Sequence, residues 1–75
     1  MDIKLKIKGT NVKIYINDLL HLSFVQAEYR GIQSWKEGTN WYCIEYYFKD
    51  TEPIKCAYDT FEKWKAILEL IDKEL

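Results

Sequence analysis

The most regular stretch of the chain is DIKLKIKGTNVKIYIN, residues 2–17, where Ile3, Leu5 and Ile7 alternate with Lys4, Lys6 and Lys8. A period of two places one set on each face of a strand, so this is a half-buried strand with an aliphatic inner face. Gly9, Thr10 and Asn11 supply a turn, and Val12, Ile14 and Ile16 resume the alternation, which predicts a β-hairpin. The segment NDLLHLSFVQAEYRGIQSW (17–35) allows two readings. As a helix it would be capped by Asp18 and closed by Gly31; as a strand it would turn at Asn17-Asp18 and run extended from 22 to about 34. Its apolar residues spread around a helical wheel without forming a stripe, which favours the strand and a continuous meander.

KEGTN (36–40) reads as a loop, WYCIEYYFK (41–49) as a strand rich in β-formers, DTEP (50–53) as a turn and IKCAY (54–58) as a short strand. The last segment, DTFEKWKAILELIDKEL (59–75), changes period. Phe61, Trp64, Leu68, Ile71 and Leu75 recur every three or four residues, Ile67 widens the stripe, and Asp59 with Glu62 fits a capping box. The expected fold class is therefore α+β: one antiparallel meander of about five strands, with one C-terminal amphipathic helix packed on one face. The 75 residues make a single domain, close to the lower size limit for a self-sufficient core.

Alternation also divides the strand expected at 41–48. Tyr42, Ile44, Tyr46 and Phe48 form a uniformly apolar or aromatic face that should meet the helix, and Ile54, Cys56 and Tyr58 should join them. The opposite face carries Trp41, Cys43, Glu45 and Tyr47. A single helix leaves one sheet face uncovered, and such a face is usually polar. Here it would hold Trp41 and Tyr47 with Tyr15, Trp35 before them, and the ridge Lys4, Lys6, Lys8 and Lys13. Trp and Tyr are the residues enriched at binding hot spots. Burial of these aromatics by curvature or a second layer, self-association, and a foreign protein partner all stay open as explanations.

Composition narrows the classes. Hydrophobic residues make 48% of the chain and charged residues 31%, a globular balance. Net charge is −1, with five basic against three acidic residues in 1–30 and six against nine in 31–75. That asymmetry is far from the basic excess of a dedicated nucleic-acid binder. The lysine ridge could track a phosphate backbone beside Tyr15, but lysines on an outer strand also guard against edge-to-edge aggregation, and the guard reading is preferred. No stretch resembles a membrane span or a signal peptide, so a cytoplasmic location is expected.

Catalytic and cofactor chemistry finds little support. His21 is the single histidine, and neither cysteine is placed beside it as a nucleophile would require. Two cysteines and one histidine fall short of a zinc set, and no Cys-x-x-Cys occurs. With Phe48 opposite Ile54 and Tyr46 opposite Cys56, Cys43 falls on the other face from Cys56, which excludes a disulfide. The glycines in KGT, RGI and EGT open no phosphate loop. No enzyme activity, cofactor or metal is expected.

The order of elements, and above all YDTFEKWKAIL (58–68), resembles small bacterial and phage proteins in which a β-meander ends in an aromatic-Asp step and one amphipathic helix. Some phage members of that group are anti-defence inhibitors, including anti-CRISPR proteins, which bind a host effector without catalysis. Ten lysines to one arginine and nine isoleucines fit the A/T-rich genome of such a source. The resemblance implies a non-enzymatic protein-binding module whose partner is a host protein or another copy of itself. It assigns no individual residue a role. The alternatives are a small nucleotide or nucleic-acid binder using the lysine and aromatic face, and a structural homo-oligomer.

Overall fold

A computed structural model describes residues 2–75. It contains six strands and one helix: β1 Ile3–Lys8, β2 Asn11–Ile16, β3 Leu19–Val25, β4 Tyr29–Glu37, β5 Trp41–Phe48, β6 Ile54–Tyr58 and α1 Phe61–Glu74. The strands form two antiparallel three-stranded sheets, β1-β2-β3 and β4-β5-β6, in place of the single five-stranded sheet expected. The reason lies at Gln26–Glu28, a 3₁₀ turn that breaks the long extended segment. Three contacts hold it: Gln26 N–H donates to the Thr10 carbonyl at 2.8 Å, Lys49 N–H to the Glu28 carbonyl at 2.8 Å, and the Arg30 guanidinium to the Ala27 carbonyl at 2.9 Å. Phe24 and Tyr29, on either side of the turn, stack at 5.7 Å, with Phe48 packed against both. The strand reading of 17–35 therefore stands, as two strands.

The β2–β3 turn and the irregularity at the start of β4 each have a local cause. Asn17 and Asp18 both adopt left-handed backbone (φ 50° and 66°), as a two-residue type I′ turn requires, with Ile16 opposite Leu19. The shift in register between Tyr29 and Gly31 is allowed by Gly31 at φ 143°, a conformation a side chain would oppose.

The helix begins one residue later than expected. Thr60, not Asp59, is the N-cap: its hydroxyl accepts from Lys63 N–H at 3.3 Å, while Asp59 forms an ion pair with the Lys63 side chain at 2.9 Å. The helix packs on β1, β5 and β6, and so reaches both sheets and not one face of one sheet. The core is correspondingly shared. Val12, Ile14 and Phe24 of the first sheet meet Ile44, Tyr46 and Tyr58 of the second, with Ile67 and Ile71 of the helix. Ile67 and Ile71 are the buried centre of the helical stripe; Trp64 and Leu68 are half-buried beside them, and Phe61 and Leu75 at its ends are exposed. No helix among the described residues is long and apolar enough to cross a membrane.

Candidate functional site

Because the inner faces of both sheets contribute to one core, their outer faces are separate surfaces. The expected candidate residues accordingly divide. Trp35, Trp41 and Tyr47 lie on β4 and β5, whereas Tyr15 lies on β2 with the lysines, and no single sheet carries both sets.

On the second sheet the register sets Trp35 opposite Cys43 and Cys43 opposite Ala57, with Glu37 opposite Trp41 and Glu45 opposite Lys55. Trp35 belongs to β4 itself, and its ring lies under the Lys55 ammonium at 5.3 Å. Lys55 also pairs with Glu37 at 3.4 Å. Cys43 is fully buried although the face it shares with Trp41, Glu45 and Tyr47 is the outer one. Its thiol reaches the Glu37 carboxylate at 3.8 Å. Burial, with Glu37 beside it, pushes that thiol above its ordinary pKa, so it is protonated and unreactive.

Tyr47 is half-buried, and its hydroxyl lies within hydrogen-bond reach of Gln33 Oε1, at 3.0 Å, and of the Glu45 carboxylate. The hydrogen bond to Glu45 raises its pKa and fixes its ring on the sheet. Trp41 differs from its neighbours in being 50% exposed. It stands at the corner where this outer face meets a cleft of about 300 Å³ between the two sheets, whose wall includes Ile16, His21, Tyr58 and Lys63.

His21 is the residue whose surroundings the sequence did not disclose. Its Nε2 lies 2.9 Å from the Tyr58 hydroxyl, which lies 2.9 Å from that of Tyr46. The chain links β3 to β6, whose edges share no backbone ladder. Burial lowers the His21 pKa and raises those of Tyr46 and Tyr58, so near neutral pH all three are uncharged. Neutral groups bonded to one another make a structural tie, with no nucleophile activated by it. The only advance signal for His21 was its being the single histidine; its partner is 37 residues away.

The first sheet presents a different surface. Lys4 stands opposite Tyr15, Lys6 opposite Lys13 and Lys8 opposite Asn11. The Lys6 ammonium lies 5.4 Å from the centre of the Tyr15 ring. Lys4 is paired with Asp2 at 3.4 Å and Asp18 at 3.9 Å.

Cys43 and Cys56 are free thiols. The β5–β6 register is displaced by two residues from that expected, with Tyr46 opposite Ile54 and Ile44 opposite Cys56. A two-residue displacement preserves which face each side chain occupies, so the two thiols still lie on opposite faces. Ile54, expected in the core, is exposed at the sheet edge. Among the described residues, no three His, Cys, Asp or Glu side chains gather as a metal ion would need. No family model, curated protein or solved structure matches the chain.

Proposed function

We propose that this protein is a non-enzymatic binding module that docks on another protein through the outer face of β4-β5-β6, in the manner of a small phage inhibitor of a bacterial host defence protein. The observation that carries the reading is Trp41: a large indole left half exposed, beside a cleft, on a face where Trp35 and Tyr47 are already held in place. An indole anchor next to ordered aromatic and charged groups has the composition of an interface centre. Pre-ordering matters because side chains fixed before binding lose less entropy on docking.

The test uses tagged protein to capture partners from bacterial lysate, with mass spectrometry to identify them and light scattering to detect self-association. Replacing Trp41 and Tyr47 together by Ser should weaken capture of the identified partner by about 2 kcal/mol or more, roughly 30-fold. The fold should survive, since neither side chain is in the buried core. Undiminished capture by the folded double variant would remove this face from consideration, and a concentration-dependent dimer disrupted by it would make the partner a second copy.

A further inference from the structure

The outer face of the first sheet carries a charge arrangement that edge protection does not explain. Lys4, Lys6 and Lys8 belong to β1, an edge strand, where lysines discourage pairing with other chains. Lys13 belongs to β2, the central strand, which has no free edge. It also stands directly opposite Lys6, and like charges so placed repel. Neither Lys6, Lys8 nor Lys13 has an acidic partner among the described residues, whereas Lys4 has two. The residues sharing this face toward the Gly9-Thr10 turn, Asn11 and Ser23, are neutral. A sheet that keeps three uncompensated ammonium groups together, one of them on its central strand, is less stable than it need be, and an anionic ligand would supply the missing charge.

We infer that this face binds the backbone of single-stranded nucleic acid. Lysines on one face of a strand repeat at about 6.6–6.8 Å, which presents β1 as a row of point charges with Lys13 as a second row. Tyr15, on the same face under Lys6, offers the flat ring on which a base stacks. The surface is a flat sheet face with no helix or ribbon projecting from it to enter a duplex groove. An anionic membrane fits less well. Of the exposed apolar residues that would insert, Leu19 (74% exposed) adjoins Asp18 at the turn, and Leu20 (56%) stands opposite Tyr15, at the other end of the sheet from Lys8. This site is independent of the protein-docking face on the second sheet.

Fluorescence anisotropy of a labelled oligothymidylate of about 12 nucleotides, titrated with the full chain, tests the inference. Three phosphate contacts give a slope of about −2 in log affinity against log salt, so affinity should fall about 20-fold between 50 and 200 mM salt. Lys6→Gln/Lys13→Gln should reduce the slope to about −0.7 while leaving the melting temperature unchanged or raised, since it removes a repulsive pair. Lys8→Gln should lower the slope by one contact without touching the central strand. Trp41→Ser should leave oligonucleotide binding unaltered. The inference is overturned by absent binding at 50 mM salt, by a slope near zero, by the same slope in the double variant, or by binding to phosphatidylserine vesicles with none to the oligonucleotide.

Discussion

The two sheets have the same size and connectivity, yet they treat charge oppositely. In β1-β2-β3 the position facing Lys6 on the neighbouring strand is Lys13; in β4-β5-β6 the position facing Glu45 is Lys55. On the second sheet Lys55 is engaged further, by Glu37 and by the Trp35 ring, and the aromatics are ordered through these contacts. On the first sheet Lys6, Lys8 and Lys13 have no acidic partner among the described residues, and Lys6 rests over the Tyr15 ring alone. One outer face is internally satisfied and offers a ready-made hydrophobic anchor. The other is internally unsatisfied and offers charge. A surface of the first kind suits a shape-specific protein contact, and one of the second kind suits a polyanion whose binding depends on salt.

The contrast concerns outer faces only, because both sheets depend on one interior. The variant with the largest expected effect tests that dependence. Ile67→Ala should cost about 3–4 kcal/mol, a large part of the stability available to so small a domain. Both sheets should then melt in a single transition, followed by indole fluorescence for the second sheet and by amide resonances of β1–β3 for the first. Separate transitions would show that the sheets are distinct folding units.

Trp64 binds the helix to the second sheet. Its indole N–H donates to the Cys43 carbonyl at 3.0 Å while its ring packs against Tyr42 and Phe61. Trp64→Phe keeps an aromatic ring and loses the donor, which should lower the urea midpoint by the equivalent of about 1–2 kcal/mol. An unchanged midpoint would mean that water replaces the indole at no cost.

Between the sheets, His21 makes stability depend on pH in a defined direction. Burial lowers its pKa in the folded state, so the unfolded chain binds the proton more readily. Its contribution is fully present above the ordinary histidine value of about 6.5 and is lost as pH falls through and below that value. Urea midpoints should therefore decline from pH 7.5 to pH 5. His21→Gln, which can still bond Tyr58 but does not titrate, should flatten this decline. Equal declines in both proteins would assign the acid limb to other groups.

The smallest effects address the charge contrast itself. Lys13→Thr should stabilise the first sheet by about 0.2–1 kcal/mol, and Glu45→Lys, which places two lysines face to face on the second, should destabilise by a similar amount. Matching signs in thermal melts of the two variants would remove the contrast.

Much of this architecture is present in local pattern. Alternation in residues 3–16 gives the first hairpin, the period change after Tyr58 gives the helix, and parity in 41–48 puts Tyr42, Ile44, Tyr46 and Phe48 on the inner face. Parity assigns a side chain to a face of its own sheet, but it does not say how many sheets there are. That number depends on the turn at Gln26–Glu28, whose hydrogen bond to Thr10 is not encoded in its own few residues. Tyr15 was therefore grouped with Trp41 when the two belong to different surfaces. Alternation puts Cys43 on the outer face, yet it is fully buried, because a face assignment alone does not fix exposure. Trp41 was legible as an outward residue; its cleft was not, because His21 and Tyr58 form that wall through long-range packing.

The helix that completes the core packs against β1, the strand farthest from it in sequence. Translation makes Ile67 and Ile71 after all six strands, so the inner faces of both sheets wait for them before their interior closes. Until then a nascent chain displays Val12, Ile14, Ile44 and Tyr46 without their helical cover. Such a core closes over long sequence separations, which slows folding and leaves apolar strand faces open to association in that interval.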